Sequence, residues 1–91
     1  MTKEKFVECL TSSAFRLCYD EDNMSLFERG GIYFFLFENE VRDSRDNPSF
    51  SIPYRDIKLI RSRRGSFEIE TLSGEGVTLL EEEDDEIGCM G

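Results

Sequence analysis

Residues 57–80 read IKLIRSRRGSFEIETLSGEGVTLL, the most clearly patterned stretch of the chain. Phe67, Ile69 and Thr71 share one parity, with Glu68 and Glu70 on the other. That period-two alternation belongs to a half-buried strand. On either side lie two glycine-containing turns, Arg63-Arg64-Gly65-Ser66 and Ser73-Gly74-Glu75-Gly76. Glycine and serine clusters between apolar runs mark hairpin connections. The stretch therefore predicts three antiparallel strands, at 57–62, 67–71 and 77–80.

Working toward the N-terminus, Phe50, Ile52 and Tyr54 alternate, and Pro53 marks a strand edge or end. Residues 41–49 are polar and contain the turn-forming Asp46-Asn47-Pro48-Ser49, which makes this the longest expected loop. Residues 32–38 are apolar at both parities, the pattern of a central strand covered on both faces. Two shorter strands precede it, at 15–19 and 24–28, with Phe15, Leu17 and Tyr19 expected on one face and Gly30-Gly31 as a tight connection. Residues 2–10 read as a short amphipathic helix. Thr2 can cap its N-terminus, Glu4 suits its first turn, and Phe6, Cys9 and Leu10 recur at helical spacing.

Toward the C-terminus the character changes abruptly. Six consecutive acids, Glu81, Glu82, Glu83, Asp84, Asp85 and Glu86, are followed by Ile87-Gly88-Cys89-Met90-Gly91. The expected organisation is one α+β domain over 1–80 and an acidic tail over 81–91. The domain is mostly antiparallel β, a small barrel or sandwich of about seven short strands with an N-terminal helix.

The composition supports strands over helices. The 91 residues include 8 Phe and 3 Tyr but a single alanine, Ala14. Aromatics supply a compact core from few residues, and alanine is the best helix former. The chain has no histidine. The commonest general base and metal ligand is thus absent, and Ser-His or Cys-His nucleophile pairs cannot be built from this chain alone. No phosphate-binding loop or dinucleotide fingerprint is present. Asp20-Glu21-Asp22-Asn23 offers oxygen ligands but lacks the spacing of a calcium loop. Cys9, Cys18 and Cys89 are not at zinc-site spacing and read as free thiols. The expectation is a protein that is not an enzyme and holds no metal or cofactor. With no apolar run near the roughly 20 residues of a membrane helix, and no apolar leader near Met1, the chain reads as cytoplasmic.

The stretch from Phe50 to Leu80 resembles the middle of a PH-like or GRAM-like domain. The pattern is an apolar strand ending in Tyr-x-Asp-Ile, here Ile52-Pro53-Tyr54-Arg55-Asp56-Ile57. Ile60, the Gly65 turn, Phe67-Glu68-Ile69-Glu70-Thr71 and the Gly74 turn follow, and Gly31-Ile32-Tyr33-Phe34 is similar to the strand that usually precedes them. The resemblance covers about half of the chain. It implies a small barrel closed by a C-terminal helix of a dozen residues or more. Here the last strand runs into acids instead, so either the N-terminal helix caps the core or the chain is a different β-rich fold. Through the same resemblance, an adaptor role would bind a peptide or an anionic lipid headgroup.

Charge marks two candidate binding regions. The net charge is −9, from 20 acids and 11 bases. Without the six tail acids, 14 acids face 11 bases, a net of −3. The excess is thus concentrated in a run that repels itself and tends to stay extended. The acidic candidates are Glu81, Glu82, Glu83, Asp84, Asp85 and Glu86, with Glu68, Glu70 and Glu75 beside them. They point to a protein partner with a basic surface, blocked by an inhibitor or immunity-type module; small acidic inhibitors from phages and mobile elements are similar in size and charge. The alternative anion-binding candidates are Lys58, Arg61, Arg63 and Arg64, with Arg61 and Arg63 expected on one strand face and Lys58 on the other. The overall charge argues against direct binding of nucleic acid or an anionic membrane. A third expectation is a subunit of a larger assembly, for which exposed Tyr33, Phe35 and Phe37 would be the sign.

Overall fold

Thr2 opens the first element. Its hydroxyl oxygen accepts the Lys5 N–H at 3.1 Å, satisfying one of the orphan donors of a helix start. In the computed structural model, which describes residues 1–82, helix α1 (Lys3–Ser12) follows. The Ser13 N–H closes the helix on the Cys9 and Leu10 carbonyls. Ala14 then takes φ = 72°, a left-handed turn rare outside glycine, and directs Phe15 inward.

The strands form two antiparallel sheets. The first has the order β1-β2-β3-β4-β5: β1 (Arg16–Glu21), β2 (Met24–Arg29), β3 (Ile32–Leu36), β4 (Glu40–Arg42) and β5 (Ser51–Pro53). A 3-10 turn at Tyr54–Asp56 leads to the second, ordered β6-β7-β8: β6 (Ile57–Arg63), β7 (Ser66–Thr71) and β8 (Gly76–Leu80). The chain is thus an α+β, β-rich fold whose strands run as meanders, as the alternation and glycine turns imply.

The core lies between the sheets, with α1 supplying Phe6 and Leu10, both fully buried. Phe34 of β3 is its centre. Its ring lies 5.9 Å from Phe6, 5.4 Å from Phe15, 6.2 Å from Phe50 and 5.3 Å from Phe67. Tilted and edge-on contacts at these distances add to the burial of the rings themselves. Tyr54 is buried beside Phe6 and donates its hydroxyl to the Phe37 carbonyl at 2.7 Å. Burial, with the carboxylates of Glu38 and Glu40 contributing, pushes its phenol above the ordinary tyrosine range.

Four local expectations are corrected. β1 is an edge strand, so Leu17 and Tyr19 remain half exposed while Phe15 alone is buried. A register shift at Cys18 breaks their common face. β3 buries one face, Ile32, Phe34 and Leu36, and leaves Tyr33 exposed on the other. Val41, expected in a loop, is fully buried in β4, which brings the strand count among the described residues to eight. The remaining loop is pinned by Asp43, whose carboxylate accepts the N–H groups of Ser49 and Phe50. Tyr54 belongs to the 3-10 turn rather than to the strand of Ile52.

Candidate functional site

Arg29 ends β2 at the parity of Phe27, so its side chain points between the sheets. Its guanidinium lies 5.0 Å from the centre of the Phe15 ring and 5.8 Å from that of Phe67. All five N–H donors of an arginine are engaged. Nε donates to Glu81 at 2.6 Å. Nη1 donates to the Ser13 carbonyl and Ser62 Oγ, both at 2.9 Å, and Nη2 to the carbonyls of Arg63 at 3.1 Å and Ser66 at 2.9 Å. One side chain thereby ties α1, β2, the β6–β7 hairpin and the chain after β8 together.

Glu81 is therefore the counter-ion of a side chain only 13 % exposed. The backbone repeats the attachment: the Glu81 N–H donates to the Gly65 carbonyl and the Glu82 N–H to the Gly30 carbonyl. Gly30 and Gly31 have φ of 56° and 90°, and a Cβ built on either would meet the Glu81 or Glu82 side chain within 2.9 Å. The first two acids of the run are thus packed on the β2–β3 turn. Glu83, Asp84, Asp85 and Glu86 lie outside the described residues, as do Ile87, Cys89 and Met90.

The acidic and basic candidates of the β6–β7 hairpin face one another. Arg61 stands opposite Glu68 and reaches both Glu68 and Glu70 at 3.4 Å. Lys58 reaches Glu70 at 3.8 Å. A register shift between Ile57 and Leu59 turns Lys58 toward the carboxylates that Arg61 reaches, against the alternation expected from sequence. Four of the candidate residues thereby neutralise each other. Arg63 and Arg64 crown the hairpin, exposed and without an ion pair among the described residues. Glu75 is exposed in the opposite, β7–β8 turn.

Elsewhere the titratable groups serve local structure. Asp20 accepts a hydrogen bond from Ser25 Oγ at 2.6 Å. Glu21 accepts the Tyr19 hydroxyl at 2.5 Å and pairs with Arg45 at 3.5 Å. The bond to Glu21, with its negative charge, raises the Tyr19 pKa. Among the described residues no group of three or more potential metal ligands converges, and no helix is long and apolar enough to cross a membrane. Cys9 is half-buried and Cys18 exposed, both as thiols. A depression of about 510 Å³ between β5 and the β7–β8 turn, lined in part by Ile52, Pro53, Asp56, Leu72 and Glu75, is open to solvent.

Arg29 was not singled out by sequence, although its inward parity beside Phe27 was a usable signal, because an inward arginine requires a counter-ion. Comparison with family models, curated proteins and solved structures gives no match for this chain.

Proposed function

We propose that this chain is a non-catalytic, protein-binding module that engages a basic surface of a partner through its C-terminal acids. The observation that carries this reading is the anchoring of Glu81 and Glu82. It fixes where a run of six acids leaves the domain, beside the β2–β3 turn. The hairpin acids Glu68 and Glu70 contribute little, since Arg61 and Lys58 already neutralise them. Glu75, Glu82 and residues 83–86 are the contact acids. Electrostatic attraction would speed encounter and set specificity, and steric cover would block the partner's surface.

A second reading keeps the PH-like resemblance. Two successive antiparallel sheets suit it, and Arg63 and Arg64 would then hold an anionic headgroup. Lys58 and Arg61 are less suited to that role because each already has a carboxylate partner.

The test is affinity capture from the native host's extract at low and high salt. The full chain is compared with the full-length variant Glu83→Gln/Asp84→Asn/Asp85→Asn/Glu86→Gln and with Arg63→Glu/Arg64→Glu. This design leaves Glu81 in place, whereas a chain ending at Leu80 would also strip Arg29 of its counter-ion. A protein lost from the tail variant and in high salt, but kept by the arginine variant, supports the acidic reading. The reverse pattern supports the adaptor. Equal recovery by all three forms defeats both.

A further inference from the structure

An open sheet presents unused backbone donors and acceptors along its edges. Among the described residues there are four such edges: β1 and β5 bound the first sheet, β6 and β8 the second. Three are blunted. β1 carries Arg16, Asp20 and Glu21, and shifts register at Cys18. β5 is three residues long and ends in Pro53, which has no N–H to offer. β6 carries Lys58, Arg61 and Arg63 and shifts register after Ile57. It also shares a cleft with α1, in which Cys9 and Ser12 face Ile60 and Ser62.

β8 has none of these protections. Gly76-Val77-Thr78-Leu79-Leu80 is uncharged, lacks proline, runs in unbroken register along β7, and pairs with β7 alone among the described residues. Val77 and Leu79 pack against the core, while Thr78 and Leu80 face out. Leu80 is 72 % exposed, the most of any large apolar side chain among the described residues.

We infer that β8 is an assembly edge whose occupant is β8 of a second copy, paired antiparallel about Thr78. The strand complements itself in that register. Val77 meets Leu79 of the copy on the core side, Thr78 meets Thr78, and exposed Leu80 lies opposite Gly76, which has no side chain to obstruct it. Leu80 pairs with Ser66, beside the Arg63–Arg64 tip, and Gly76 follows Glu75. Antiparallel pairing therefore sets each copy's Glu75 near the other's Arg63–Arg64 tip, where Glu81 is already paired with Arg29 and Glu82 follows it. The two three-stranded sheets join into one of six strands through an isologous two-fold contact. This inference is independent of the basic-partner reading and uses no residue of the acid run.

Analytical ultracentrifugation of the full chain under reducing conditions, over a concentration series, tests it. A concentration-dependent dimer is expected. Thr78→Lys sets like charges face to face at the axis and weakens the dimer by at least about tenfold, with an unchanged circular dichroism spectrum. Leu80→Lys, at an exposed position, repeats the test should Thr78→Lys misfold. Leu17→Lys, on β1, leaves the dimer intact. A monomer at every concentration overturns the inference, as does a dimer that survives both β8 variants or is lost on Leu17→Lys alone.

Discussion

Arg29 and Arg61 both stand on strands and both face carboxylates, yet they do different work. The Arg29–Glu81 pair is 2.6 Å long, with side chains 13 % and 23 % exposed. Arg61 approaches Glu68 and Glu70 through one nitrogen at 3.4 Å, and is itself 43 % exposed. Breaking a buried pair strands an uncompensated charge, whereas an exposed pair gains little over water. What separates them is position, not residue type. Arg29 lies on the inward parity at a strand end where two sheets and a helix terminus meet; Arg61 lies on the outer face of a hairpin.

The largest expected effect is that of Arg29→Ala, which removes five hydrogen bonds and two ring contacts. Urea denaturation should show a loss of about 4–5 kcal/mol, a large share of a small domain's total stability. Glu81→Gln leaves the guanidinium in place without its counter-ion and should cost about 3 kcal/mol. If either variant melts like the wild type, the buried hub is not a structural element.

Alkaline pH probes a different buried group. The Tyr54 phenol is pushed up mainly by burial. The unfolded chain releases this proton near pH 10, while the folded chain keeps it. The stability it contributes is full below that pH and lost as pH rises beyond it. Tyr54→Phe should lose about 1 kcal/mol at neutral pH, from the missing bond to Phe37, and should flatten the decline in urea midpoint above pH 10. An equally steep decline would assign it elsewhere.

The smallest effect is expected of Arg61→Ala, about 0.2–1 kcal/mol. It should vanish in 1 M salt, where screening acts within about 3 Å. The Arg29→Ala difference should persist there. A salt-sensitive Arg29 effect would erase the contrast between the two sites.

The strands of the second sheet were legible because alternation and glycine turns are local signals. Phe67 and Ile69 are buried where their parity placed them. β4 was not legible: its three residues are mostly polar, and Val41 is buried by pairing with Ile52 and Leu36 on neighbouring strands, a cause that its own three residues do not carry. β1 misled for the opposite reason, since alternating apolar residues do not reveal that a strand lies at an edge. Among the candidate site residues, the opposition of Arg61 to Glu68 follows from hairpin register and was within reach. Glu81 was hidden by its neighbours. Five further acids follow it, and nothing in the composition separates the one that closes the fold from the rest.

The anchored Glu82 also acts as a fixed leash point. An extended chain gains at most about 3.3–3.6 Å per residue, so Glu86 can lie no farther than about 14 Å from Glu82. On the proposed reading, a partner engaging residues 83–86 would place its basic groups near the Gly30–Gly31 turn, which makes that contact zone mappable by cross-linking from one corner of the molecule.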